Sequence, residues 1–374
     1  MDYLLGLEIP RFAFLIGVMV SLVLYEKRHL TTGSLIVPGY IAVYALQPLV
    51  IAATIANALA SRWLIDDLLA RKIVLYGRDR LVALSITTIT IQALFLAFSP
   101  RGPYLWRPDI PFLVGVGYVI PAVIAHDMGR QGTRRTLRVV LGSGLLVALP
   151  VLTVAYVFPA LNDLGPGTGR LATAIPAHWI PLAVLLGAIA SWGLHHNFGW
   201  RAGGFVGAAY VAVLAATWAQ VLFIAGVATA SWFLVTKVLM QHSIVFGRRK
   251  FGTSLVVAGV LSWTALTVVA PPGAIPPDVL PMAGIALSPL FVPGLIANDM
   301  ERGGALRTLA GTALAAGFVY ATIAALRSVT AGSGIDLAWT TTAMAMALTI
   351  FNGQLATLAR DLRPRLGTRR PALG

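Results

Sequence analysis

The chain is 374 residues long, 57% hydrophobic and only 11% charged, with a mean hydropathy of +0.81. Soluble domains carry about 25% charged residues, so the composition excludes a water-soluble enzyme and indicates an integral membrane protein. The net charge of +14 suggests a polyanion partner. Its Lys and Arg, however, sit in short loops between apolar runs, as membrane topology requires, and no nucleic-acid partner is expected.

No removable signal peptide is expected, because Met1-Asp2 opens an acidic stretch and no small-residue cleavage site follows the first apolar run. Apolar segments then follow near 11–25, 35–48, 49–70, 81–98, 112–126 and 138–158, and again near 180–195, 204–222, 223–242, 252–270, 284–298 and 309–326, with an unpaired one at 336–358. A spanning helix needs about 20 apolar residues. Several segments are shorter, so the expectation is an all-α, polytopic membrane protein with about 10–13 membrane segments, some of them short or broken helices. The Pro/Gly-rich stretch at 159–179 reads as an extracytoplasmic linker between units 11–158 and 180–326, with 359–374 as a basic cytoplasmic tail.

Charge bias sets an orientation. With Lys27, Arg28, the 71–80 and 130–138 loops, Arg201, 248–250, 302–307 and the tail on the cytoplasmic side, 21 of the 28 Lys and Arg lie inside and five outside. The reading is a multi-pass protein of the cytoplasmic membrane, N-terminus outside and C-terminus inside. Six crossings per unit make the repeats parallel; one re-entrant segment per unit makes them inverted.

The two units are copies. Tyr76-Gly77-Arg78-Asp79-Arg80 returns as Phe246-Gly247-Arg248-Arg249-Lys250 after 170 residues, and Tyr40 faces Tyr210 at the same spacing. Ile120-Pro121-Ala122-Val123-Ile124-Ala125-His126-Asp127-Met128 answers Val292-Pro293-Gly294-Leu295-Ile296-Ala297-Asn298-Asp299-Met300 at 172. Such duplication means one architectural unit used in tandem.

Within the spans, proline breaks the helical ladder. Freed backbone groups survive in a membrane only where protein or a water-filled cavity satisfies them. Pro121 and Pro293 with Gly294 therefore mark candidate helix breaks, as do Pro38 and Gly39 in the first unit. Asp127 and Arg130, like Asp299 and Arg302, are three residues apart and can share a helical face as an ion pair. Arg135 and Arg307, each in an Arg-Thr-Leu triplet, add one further guanidinium per unit, a group suited to bidentate recognition of carboxylate or phosphate. Arg62–Asp66 and Asp67–Arg71 have i,i+4 spacing and read as self-paired interfacial charge.

Arg78, Arg80, Arg248 and Lys250 serve equally as topology marks or as a surface for an acidic partner. Gly247 to Ser254 imitates a phosphate-binding loop but lacks the lysine after its second glycine, so nucleotide binding is rejected. No catalytic constellation, metal site or cofactor motif is visible.

Gly33-Ser34-Leu35-Ile36-Val37-Pro38-Gly39-Tyr40, the Tyr76 to Arg80 block, and Phe291 to Asp299 followed by Arg302-Gly303-Gly304 resemble the PgsC/CapC family, a membrane component of bacterial poly-γ-glutamate synthetase. The resemblance covers both units, as two fused copies. It implies a subunit of a complex that makes and exports an anionic γ-linked glutamate polymer. The implied partners are a Mur-ligase-like cytoplasmic amide ligase carrying the ATP chemistry, an outward-facing accessory subunit, the polymer and the lipid bilayer. On that reading Arg78, Arg80, Arg248 and Lys250 dock partner or polymer. Asp127, Arg130, Asp299 and Arg302 flank a path gated at Pro121 and Pro293. The alternatives are a stand-alone secondary transporter of a small anion and a non-conducting assembly scaffold.

Overall fold

The computed structural model describes residues 8–70, 77–98, 118–159, 174–176, 179–204, 206–215, 217–242, 244, 246–269 and 288–367. Among these residues the regular structure is entirely helical. Unit 1 comprises α1 (Glu8–Arg28), α2 (Val37–Val43), α3 (Pro48–Arg62), α4 (Gly77–Phe98), α5 (Ile120–Gln131) and α6 (Thr133–Val157). Unit 2 repeats them as α7 (Ile180–Phe198), α8 (Gly207–Leu214), α9 (Trp218–Phe233), α11 (Arg248–Val269), α12 (Ser288–Gly303) and α13 (Ala305–Thr330), with a three-residue turn α10 (Met240–His242) after α9. A last helix, α14 (Leu337–Gly367), has no counterpart in unit 1 among the described residues.

Among the described residues five helical stretches are long and apolar enough to cross a membrane: Ile9–Arg28, Pro48–Leu69, Thr133–Val157, Trp218–His242 and Ala305–Thr330. Their outward faces carry bare apolar side chains such as Leu145, Leu149 and Leu222, which only lipid or another apolar helix can cover. The chain is a membrane protein.

The second segment of each unit is much shorter than its apolar run. Helices α2 and α8 hold seven and eight residues, roughly 10–12 Å at 1.5 Å per residue, about a third of the hydrocarbon thickness. They lie deep in the protein. A methyl group on Gly17, mid-way along α1, would overlap the backbone of Gly39, and one on Gly144 of α6 would overlap Ile41. Gly187 meets Ala209 in the same way in unit 2. Close backbone approach through small residues is how membrane helices pack without a hydrophobic driving force.

The prolines act differently from expectation. Pro121 sits in the first turn of α5 rather than kinking a span, because its missing N–H there has no intrahelical acceptor to lose. Pro38 likewise starts α2. Pro293 does lie inside its helix, α12. A second irregularity is shared: α3 runs on as a π-helix over Trp63–Leu69, and α9 does so over Leu234–Leu239. These are the same positions at the 170-residue spacing. The π-helix is rare and concentrates where a helix is put to special use.

Unit 1 packs on unit 2 along two equivalent seams, α1 on α11 and α7 on α4. In the first, Leu22 fills the notch at Gly252 and Leu15 the notch at Gly259. The second carries a hydrogen bond from Trp192 Nε1 to Asp79 Oδ1 at 3.3 Å. Between the seams Phe291 touches rings from both units: Phe14 and Tyr40 at 6.4 Å, and Tyr210 at 5.4 Å. The equivalent tyrosines of α2 and α8 thus meet one aromatic hub. Helix α14 covers α7 and α13, with Phe351 against Gly193, Met346 against Gly317, and Asn197 Nδ2 donating to the Ile350 carbonyl at 2.6 Å.

Candidate functional site

Each unit folds a loop, the one between its first two helices, onto the C-terminal end of its fifth. In unit 1 that loop contains Gly33 with φ +81°, a left-handed conformation that favours glycine. A Cβ there would also press on Ile124. Thr32 Oγ1 donates to Ser21 Oγ at 2.9 Å, and Ser21 Oγ donates to the Leu35 carbonyl at 3.0 Å. The loop backbone at Thr31 is clamped by Gln131: the Thr31 N–H donates to Oε1 at 3.1 Å, and Nε2 donates to the Thr31 carbonyl at 2.6 Å. Helix α5 stops at Gly132, φ +86°, and α6 leaves at once. Gly304, φ +85°, makes the same turn between α12 and α13.

That geometry buries one carboxylate per unit. Asp127 is 4% exposed and accepts the Gly33 N–H at 3.0 Å; Asp299 is 5% exposed and accepts the Gly204 N–H at 2.6 Å. A buried carboxylate needs a cation or several donors. The two sites find theirs in different places. Asp299 takes Arg201 from its own loop, at 3.3 Å. Asp127 faces Arg248 of the other unit, with the guanidinium 3.9 Å from Oδ2 and 5.1 Å from the Tyr25 ring centroid.

The expected pairings Asp127–Arg130 and Asp299–Arg302 therefore do not form. The aspartates are buried, whereas Arg130 and Arg302 are exposed. A spacing of three makes such a pair possible but does not require it. Arg135 and Arg307 are also exposed. Arg62 does pair with Asp66, at 3.5 Å, while Arg71 lies outside the described residues. The side chain of Arg78 lies outside them too; its backbone belongs to α4.

Arg80 and Lys250, at equivalent positions, turn inward instead of offering a free docking charge. Arg80 makes a two-pronged bond to Asp66, Nε to Oδ1 at 3.0 Å and Nη2 to Oδ2 at 2.8 Å, and reaches the His126 carbonyl at 3.4 Å. Lys250, 6% exposed, pairs with Glu301. The partners are not homologous. Asp66 corresponds to Thr236 and Glu301 to Gly129, where any side chain would collide with the Arg80 guanidinium. Similarly Thr31 and Gln131 of the unit 1 clamp become Arg201 and Gly303. Reading each unit alone misses Arg201, Gly204, Gln131 and Glu301. The signal that finds them is compensation at fixed spacing, a charge lost at one position and gained at a neighbouring one.

These groups make two charged mouths, one at the C-terminal end of each unit's fifth helix. The first is bounded by Asp127, Arg248, Tyr25 and Arg130, the second by Asp299, Arg201, Lys250 and Glu301. Both combine backbone amide, a basic side chain and carboxylate, chemistry suited to holding anions and placing charge.

Comparison with known proteins agrees with this two-unit arrangement. The family model described as "Capsule biosynthesis CapC" matches residues 16–137 and again 186–309. The chain is similar to the "PGA biosynthesis protein CapC" of Bacillus subtilis (strain 168), 29% identical over 146 residues, 39% of this chain and 93% of the relative. It is similar to the same degree, 29% over 147 residues, to the "Capsule biosynthesis protein CapC" of Bacillus anthracis, covering 39% of this chain and 95% of that protein. No solved structure matches. Two matched regions span most of the chain and coincide with the two helical units, so this protein belongs to the CapC capsule-biosynthesis family, carrying the family's unit twice.

Proposed function

We propose that this protein is the membrane subunit of a complex that synthesises and exports poly-γ-glutamate or a related envelope polymer. Family membership supports the role in capsule biosynthesis. The finer reading is that the inner face docks a Mur-ligase-like amide ligase and passes the anionic polymer outward, with an accessory subunit on the far side. The observation that carries it is the mouth formed by Asp127, Arg248 and Arg130 at the end of a short, proline-started helix. An electropositive mouth concentrates a polyanion, and Arg favours carboxylate geometry.

In this reading Arg130, Arg135, Arg248, Arg302 and Arg307 face the polymer or the ligase. Arg80 and Lys250 hold the mouth together from within. Gly39, Pro121, Pro293 and Gly294 set the helix breaks around the path.

The test is co-expression with a Mur-ligase-like amide ligase, scoring co-purification and polymer in the medium. The expected result is a stable complex whose polymer output falls at least tenfold for Asp127→Asn while the ligase still co-purifies. Unchanged output with intact co-purification would make the protein a scaffold. Ion-driven uptake of a small anion by the chain alone in liposomes would make it a transporter.

A further inference from the structure

The two units run in the same direction across the membrane. Glu26 at the end of α1 pairs with Arg249 at the start of α11, at 2.7 Å. The Trp192–Asp79 bond joins the end of α7 to the start of α4. Arg80 and Arg248, from those two starts, both reach the end of α5. The equivalent ends of α1 and α7 therefore share one side of the bundle. Because the two seams exchange the same elements, a pseudo-twofold axis along the spans relates the units. Helices α3 and α9 then lie on opposite flanks at the same depth.

Among the described residues neither flank is covered by the chain. Over 51–69 and 221–239 the same positions are exposed, residue for residue. The side chains at those positions differ in a matched way. Leu49 answers Ala219 and Ala52 answers Leu222, so bulk is exchanged between the flanks. Near the helix ends, within the two π-helical segments, Asp67 answers Lys237. Both are exposed, and neither has a hydrogen bond or ion pair among the described residues, which leave out Arg71. Lipid alone gives the flanks no reason to diverge like this, since anionic headgroups would favour a cation at both positions.

We propose that copies of this protein associate side by side in the membrane, α3 of one against α9 of the next. The bilayer holds every copy at one depth, so equivalent positions meet in register. Leu49 packs on Ala219 and Leu222 on Ala52, the close approach by which membrane helices associate. Asp67 closes on Lys237. Such a contact is heterologous: each pair keeps a free flank at either end, and association continues into a row or ring. It needs nothing from the polymer reading.

The experiment uses the full chain, which has no cysteine of its own. Ala56→Cys and Gly226→Cys stand at equivalent exposed positions, and a side chain at Gly226 meets open space. They are placed on two differently tagged copies, expressed together and oxidised in native membranes. Because a disulfide needs Cα atoms within about 7 Å, the link between tags should exceed either variant's link with itself by roughly tenfold. One chain carrying both substitutions should give a ladder beyond dimer. Gly142→Cys, on the open face of α6, should stay unlinked.

Charge reversal supplies a readout that needs no cysteine, with copies counted by single-molecule photobleaching in bilayers. Asp67→Lys or Lys237→Asp alone should weaken association about fivefold, as one exposed ion pair becomes a repulsion. Both together should restore it to within about twofold.

Absence of a link between tags, self-linking of equal strength, linking by Gly142→Cys or a ladder that stops at dimer would overturn the proposal. So would a loss that persists in the doubly reversed chain. Capture of a different polypeptide by Ala56→Cys in place of a second copy would give the flank to another subunit and overturn it too.

Discussion

Lys250 closes on Glu301 in the place where Arg80, its counterpart in unit 1, lies over Gly129 and bonds Asp66 instead. The cation is kept and the carboxylate has moved from the π-helical end of one helix to the fifth helix of the other unit. What the fold requires is a neutralised cation in that position, not a particular partner. Removing one member of a buried pair leaves an uncompensated charge, which costs more than the pair contributes. Glu301→Gln should therefore lower stability by about 2–3 kcal/mol, and adding Thr236→Asp should restore part of it. Thermal unfolding in one fixed detergent checks both; recovery absent from the double variant would break the equivalence.

The contact between Gly17 and Gly39 should tolerate no side chain. Gly17→Ala forces a methyl into the α2 backbone and should cost about 1–3 kcal/mol or prevent assembly. Gly142→Ala, on the open face of α6 with nothing within 4 Å, should leave stability unchanged or slightly raised. The same unfolding assay separates them.

Gln131 makes two hydrogen bonds to the Thr31 backbone. Gln131→Ala strips both and should speed amide exchange across residues 31–35 by roughly tenfold, for about 1–1.5 kcal/mol of lost local stability. Residues 201–204, which use Arg201 instead, should exchange as before. Hydrogen exchange read by mass spectrometry gives both segments in one experiment.

Topology is open to a direct measurement because the chain has no cysteine. Charge bias places the turn between α13 and α14 outside and the start of α11 inside. Ser333→Cys, in that exposed turn, should label with an impermeant maleimide on intact cells. Arg249→Cys, more than half exposed, should label only after permeabilisation. The reverse pattern would invert the orientation and remove the inner-face assignment of both mouths.

Much of this protein can be read along the chain. Apolar runs mark α1, α3, α6, α9 and α13 because lipid imposes a length and a composition on anything that crosses it. The duplication is visible because aromatic-Gly-Arg and Pro-Gly blocks recur at constant spacing, and those blocks carry the family. Even the asymmetry is written there, in Thr236 for Asp66 and Glu301 for Gly129, once the correspondence is known.

The tertiary structure decided the rest. Asp127 meets Gly33 across 94 positions and Arg248 across the unit boundary, and no local spacing encodes either contact. Local pattern instead favours Arg130, three residues away, which is exposed. It also makes Pro121 a kink, where the fold begins a helix. Sequence dictates which groups enter the membrane, since their transfer free energy is a property of each residue. Which buried carboxylate finds which cation depends on where two helices cross, and that is settled only when both units have packed.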